Sequence, residues 1–167
     1  TVFSKGIIKW NGERWVAGGD PSVSQFTKPA LDNSPYSRAI SDGKFYGGGS
    51  FTEAGGIPAT RIACWDGVQW SALGEGLGDQ VLSLAASDNE LFAGGYFTNS
   101  GDVATSHIAR WNGTAWSALG SGIGVDDWGA FALAMRGPDM LVGGQFKSAG
   151  GHPADMTLHV ELRGRGH

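Results

Sequence analysis

The apolar residues of this chain fall in short alternating runs, and the runs themselves recur. Residues Val81 to Ser87, V-L-S-L-A-A-S, and the run from Glu90 to Phe97 read as two strands, here termed a and b. His107 to Trp111 and Thr114 to Leu119 read as two more, c and d. The sequence F-T-E-A-G-G-I-P-A-T-R-I-A-C-W-D-G-V-Q-W-S-A-L-G-E-G begins at Phe51. A near copy, F-T-N-S-G-D-V-A-T-S-H-I-A-R-W-N-G-T-A-W-S-A-L-G-S-G, begins at Phe97, and F-K-S-A-G-G-H-P-A opens a third at Phe146. A partial copy, I-I-K-W-N-G-E-R-W, runs from Ile7 to Trp15. A repeat of this length means one supersecondary unit stacked several times.

The turns set the expected register. Asn11-Gly12, Asp66-Gly67 and Asn112-Gly113 each follow a Trp directly. Asn-Gly and Asp-Gly suit two-residue hairpin loops with positive φ at both positions. Such a loop would make Trp111 face Thr114, with Trp111 and Trp116 diagonal neighbours on one face. Trp65 would then pair with Trp70 and Trp10 with Trp15 in the same way. The a–b turns are Asp42-Gly43, Asp88-Asn89 and Gly137-Pro138, the last departing from the hairpin rule. Strand b ends in a glycine pair each time: Gly48-Gly49, Gly94-Gly95 and Gly143-Gly144. Glycine within a strand marks close approach of another group, and the repeated Trp residues are the expected occupants of that space.

The whole chain, 1–167, reads as one repeat domain. It divides into a half-unit at 6–18, an insertion at 20–35, repeats at 36–73 and 81–119, a half-unit at 130–146 and a tail or last strand at 156–167. Leu158, Val160 and Leu162 alternate with polar neighbours, so a degraded c strand with Leu162 in the Trp place fits there. The b–c loops are nearly uniform and read as architecture. The irregular d–a connections, 20–35 and 122–128, carry more information.

Composition narrows the classes. The chain has 29 Gly without a Gly-X-Y period, so these are turn and close-approach positions. Six of its seven Trp occupy repeat positions: Trp10, Trp15, Trp65, Trp70, Trp111 and Trp116. A net charge of -4 argues against nucleic acid, and Arg163 with Arg165 reads as a tail. The single cysteine excludes an internal disulfide framework, and Cys64, where other copies carry Lys9 and Arg110, reads as incidental rather than catalytic. No apolar run approaches a membrane span of about 20 residues. With no initiator Met and no signal peptide, the sequence reads as a processed form or a piece of a longer one.

Four-stranded units of this period, with Gly-Gly ending strand b and Trp in strand d, match a β-propeller blade. The motif resembles the Kelch family. Residues Ser41 to Gly49, S-D-G-K-F-Y-G-G-G, look like the start of a Kelch blade, and Trp70 and Trp116 match its later Trp. Trp65 and Trp111 stand where a Kelch blade usually has Tyr. The pattern is closer to the Gly- and Trp-rich propeller repeats of large bacterial cell-surface proteins and fungal cortical marker proteins. That resemblance implies an extracellular or cell-surface scaffold and carries over no catalytic residues. The expectation is an all-β chain of about three blades, each of four antiparallel strands. Two such chains would close a six-bladed ring by pairing their strand edges, a homo-oligomer that removes exposed edges.

Three functions are open at this point. One is a binding or adhesion module for a protein or glycan ligand, with no cofactor and no metal. The second is a lectin: Trp128, the one Trp outside the repeat, with Asp126 and Asp127 suits a sugar that stacks on the ring and bonds to the acids. The third is part of a glycan-active enzyme using the paired carboxylates. His107, His152 and His159 show no metal-ligand spacing, and no G-x-S-x-G or phosphate loop occurs.

Overall fold

A computed structural model describes residues 8–10, 15–17, 31–87, 90–124, 128–154 and 159–162 of the chain. All regular structure among them is β, and all strand pairing is antiparallel. Strands β1 (Ile8–Trp10) and β2 (Trp15–Ala17) form a hairpin. Then come β3 (Pro35–Ser41), β4 (Lys44–Gly49), the short pair β5 (Glu53–Ala54) and β6 (Ile57–Pro58), β7 (Ile62–Trp65) and β8 (Trp70–Ala72). The cycle repeats as β9 (Val81–Ser87), β10 (Glu90–Gly95), β11 (Asn99–Ser100), β12 (Val103–Ala104), β13 (Ile108–Trp111) and β14 (Trp116–Ala118). It continues through β15 (Gly129–Arg136), β16 (Asp139–Gln145), β17 (Ser148–Ala149), β18 (His152–Pro153) and β19 (His159–Leu162). The sheet orders are β3-β4-β7-β8, β9-β10-β13-β14 and β15-β16-β19, so each sheet follows the expected a, b, c order, and the first two add d.

The sheets pack on one another through two cores, because the middle sheet is apolar on both faces. Ile62, Cys64, Leu84, Ala93, Ala109, Trp111 and Trp116 fill the space between the first and second sheets. Phe92, Ile108, Ala130, Met140 and Val142 fill that between the second and third. Phe51, Phe97 and Phe146, one from each repeat, are fully buried. Each such side chain is worth roughly 1.5–3 kcal/mol of burial. Leu31, Leu77 and Ile123 recur at 46-residue spacing and lie in the same three clusters as these Phe residues. Residues 31–35, within the expected insertion, therefore hold repeat positions.

The glycine pairs do mark close approach, but Trp does not fill the space. A Cβ on Gly48 would lie 2.5 Å from a methyl of Val81 and 3.2 Å from Leu84. A Cβ on Gly94 would lie 2.8 Å from that of Ala130 and 3.4 Å from Leu133. The occupants thus come from β9 and β15, each the first strand of the next sheet, termed here its inner strand, the third and fourth strands being its outer ones. The Trp residues of the outer strands sit elsewhere, with Trp111 3.3 Å from the position of a Cβ on Gly74. Two hydrogen bonds accompany the packing: the Leu84 N–H donates to Ser37 Oγ and the Leu133 N–H to Ser83 Oγ, both at 2.8 Å.

The c–d loop also differs from expectation. Trp111 lies directly opposite Trp116 and Trp65 opposite Trp70, not diagonally. The backbone pairing of Trp10 with Trp15 is the same. Only the glycine of each described dipeptide has positive φ, Gly67 at 102° and Gly113 at 99°. The preceding Asp or Asn instead closes the loop with its side chain. Asp66 Oδ1 accepts the Val68 and Gln69 N–H groups, and Asn112 Oδ1 accepts those of Thr114 and Ala115, at 2.8–2.9 Å. This lengthens the loop and brings the indole rings to 5.6 Å and 5.4 Å. The a–b turn at Asp42-Gly43 has positive φ at both residues, as a type I′ turn requires. At Gly137-Pro138 the two-residue length survives, with Gly137 alone at φ 60°. Asp88-Asn89 and Asn11-Gly12 lie outside the described residues.

The last strand corrects one position. Met140 is opposite Glu161, as Leu91 is opposite Trp111, so Glu161 rather than Leu162 holds the Trp place in register. β19 thereby occupies the edge of β16 where a c strand belongs.

Two outcomes follow. Gly48→Ala and Gly94→Ala should each destabilise the protein by roughly 1–3 kcal/mol in urea unfolding, because the neighbouring strand must give way. Gly143→Ala should be nearly neutral, since a Cβ there meets only Ala132, at 3.6 Å. Hydrogen bonds from Gln69 and Val68 hold the Asp66 carboxyl below its usual 3.8. Its contribution is therefore complete above that value and lost as pH falls through the lower folded one. Asp66→Asn, which copies Asn112, should leave the unfolding midpoint at neutral pH unchanged and reduce its loss in acid.

Candidate functional site

The inner strand of every sheet carries an extra residue at the same place. Pairing skips Tyr36 opposite Gly48-Gly49, Leu82 opposite Gly94-Gly95 and Phe131 opposite Gly143-Gly144. A bulge leaves one residue out of the ladder, bends the strand and re-aims that side chain. The second glycine of each pair permits it. A Cβ on Gly49 would press on Ser34 O, on Gly95 on Gln80 O and on Gly144 on Gly129 O, all backbone of the same sheet's inner strand or the residue before it.

Two of the bulged side chains, Tyr36 and Phe131, emerge at the end of the sheets where β4, β10 and β16 finish, beside a residue that follows a glycine pair, Ser50 or Tyr96. The Tyr36 hydroxyl and Ser50 Oγ are hydrogen-bonded at 2.9 Å, and Asn33 Nδ2 donates to the same Ser50 oxygen at 2.9 Å. Tyr96 and Phe131, from adjacent units, meet edge to face with centroids 5.9 Å apart. The Trp128 N–H donates to Gln145 O at 3.0 Å, which fixes the start of β15. Tyr36, Tyr96 and Phe131 are all exposed, and Trp128 is the most exposed of the four at 65%. This end therefore offers aromatic rings to solvent beside neutral hydrogen-bonding groups. A recess of about 180 Å³ lined by Leu31, Asp32, Asn33 and Ser34 lies on the first unit.

Trp128 was legible in the sequence as the Trp outside the repeat. Asp126 and Asp127 lie outside the described residues. Tyr36, Tyr96 and Phe131 were missed, although a signal existed: each stands at a position that differs in all three copies, and Tyr96 does so between a repeated glycine pair and a repeated Phe. Tyr36 aligns with Leu82 and Phe131, and Tyr96 with Ser50 and Gln145.

Other polar residues here are architectural. Burial pushes the Asp32 carboxyl up, but the Thr52 N–H and hydroxyl and the Glu53 N–H donate to it, and its pKa falls below 3.8. Arg61 and His107 hold equivalent places with φ of 66° and 67°. The Arg61 Nη1 donates to Ser50 O at 2.7 Å, and His107 is buried. Of the other histidines weighed for a metal site, His152 is exposed and His159 is described only by its place in β19. Among the described residues, no three His, Cys, Asp or Glu side chains gather as a metal site, and no helix is long and apolar enough to cross a membrane. Arg110 pairs with Glu90 across the sheet, whereas Cys64 at the equivalent place is buried against the second sheet.

A scan against protein-family models matches nothing, and comparison with curated proteins likewise finds no match.

Burial raises the Cys64 thiol above its usual value, outweighing the lowering effects of Lys44, Tyr46 and Ser71. Thiolate is the reactive form. A maleimide or disulfide reagent at neutral pH should therefore modify Cys64 only as fast as the protein opens, and promptly in urea; prompt labelling of the native protein would contradict this burial.

Proposed function

We propose that this chain is a non-catalytic binding or adhesion module of β-propeller type, working outside the cell or at its surface. The three successive sheets are its blades, and a protein or glycan is its ligand. One observation carries the reading: the inner strand of each of the three sheets has a bulge at the same place, and two of the bulged side chains, Tyr36 and Phe131, are exposed aromatics. Architecture and recognition are thus separated within each repeat. The repeat motif, similar to Gly- and Trp-rich surface propellers, supports the location. Closure into a ring with a second chain belongs to the same reading, because a partial ring leaves sheet surfaces uncovered.

A glycan is the favoured ligand. Trp128 presents an open ring, and Tyr96 with Phe131 adds a second aromatic surface within the same end. Sugars stack their apolar faces on such rings while hydroxyls bond to neighbouring polar groups. Titration with soluble glycans should quench the tryptophan fluorescence of the wild-type protein. Trp128→Ala should weaken binding about tenfold or more, the loss of one good contact of about 1.4 kcal/mol. A glycan response that survives both Trp128→Ala and Phe131→Ala would exclude this end as the site.

A further inference from the structure

Among the described residues, neighbouring sheets cover both faces of the middle sheet but only one face of each outer sheet. In the second sheet, Ser83, Ala85, Phe92 and Gly94 face the third sheet and are buried or in contact with it. Their equivalents in the third sheet are Ala132, Ala134, Leu141 and Gly143. Ala132 and Ala134 are exposed, Leu141 and Gly143 are half-buried, and no neighbouring sheet among the described residues reaches the bare α-carbon of Gly143. At the other end of the stack, Leu84 and Ala86 of the second sheet pack against the first. Their equivalents in the first sheet, Arg38 and Ile40, are exposed, Ile40 by 75%. The molecule thus has a tail face shaped like one half of its internal joint and a head face shaped like the other.

We propose that these faces dock on each other between two copies of the chain. The Gly143 face of one copy takes the Arg38 and Ile40 face of the next, repeating the joint made twice within the chain. Ile40 fills the place of Ala86 and Met135, and the aliphatic stem of Arg38 lies over Gly143 with its guanidinium turned to water. The two faces lie on opposite sides of one stack, so they cannot meet within a single copy. Because head meets tail, the contact is heterologous and gives a closed ring where the rotation permits. The copy-to-copy joint differs in one respect. Ala132 stands where Ser37 and Ser83 accept a hydrogen bond, so this joint lacks that bond and comes apart on dilution. The inference deepens the assembly reading above and is independent of the ligand.

Light scattering over a dilution series tests it. The wild-type chain should reach at least twice 17.4 kDa at high concentration and fall towards 17.4 kDa when dilute. Ile40→Asp blocks the head, and Gly143→Trp or Ala132→Arg blocks the tail. Each variant alone should remain monomeric with an unchanged circular dichroism spectrum. An equal mixture of a head-blocked and a tail-blocked variant should recover a species of two chains, because one intact joint remains. That complementation also shows that both variants are folded. Association undiminished in every variant would overturn face docking while leaving closure through strand edges. A wild-type monomer at every concentration would overturn both.

Discussion

The fold depends on how closely one sheet can lie against the next. Val81 and Leu84 rest on the α-carbon of Gly48, and Ala130 and Leu133 rest on that of Gly94. Facing sheets usually stand about 10 Å apart, with interdigitating side chains between them. Here a bare α-carbon in one sheet receives a branched or small side chain from the other, so the inner strands draw together while the outer strands splay around Trp pairs. The same approach lets a serine hydroxyl reach a neighbouring inner strand. An inner strand is an edge of its own sheet, and its N–H groups there lack ladder partners. Ser37 and Ser83 each satisfy one, which ties consecutive edges together without a continuous ladder.

The connections reinforce this stacking. The segment leaving one sheet is held first by the loop of its own unit, with Leu77 N–H donating to Thr60 O, and then by the short hairpin of the next, with Gly78 N–H donating to Asn99 O and the buried Ser100 hydroxyl to Gly76 O. The following linker makes the matching bonds from Ile123 to Ser106 and from Gly124 to Ser148. Trp116 adds its indole N–H to Leu73 O at 2.9 Å. Polar groups that a buried crossing would strand are therefore paired across the joint, so consecutive units are coupled rather than strung together.

Much of this was legible in the sequence, because period and turn chemistry are local signals. The four-strand order, the glycine pairs and the type I′ turn at Asp42-Gly43 follow from residues near one another in the chain. What failed depended on choices that local chemistry leaves open. A dipeptide such as Asn112-Gly113 suits a tight turn, but Asn112 used its side chain as the acceptor and moved the tip of the loop by one residue. The partner of Gly48 was misassigned to Trp because bulk alone does not say which sheet supplies it, and the occupant, Val81, lies in the following repeat. Glu161 took the Trp place because the last strand has no Trp and its alternation fits two registers. At the candidate site, Trp128 announced itself by standing outside the repeat. Tyr36, Tyr96 and Phe131 were hidden inside it, Tyr36 and Phe131 at positions whose exposure follows from the bulge and Tyr96 just past its glycine pair.

That bulge has a consequence for how the protein can be altered. Tyr36, Leu82 and Phe131 contribute no paired rung, and of the residues after the glycine pairs Ser50 and Tyr96 begin a loop while Gln145 is the last of its strand, so these six positions answer only weakly to the demands of the sheets. They form a row that crosses three units on a frame held by other residues. A chain built this way is a ready display scaffold: six side chains could be randomised together and selected against a chosen target, with the glycine locks and serine ties left intact beneath them.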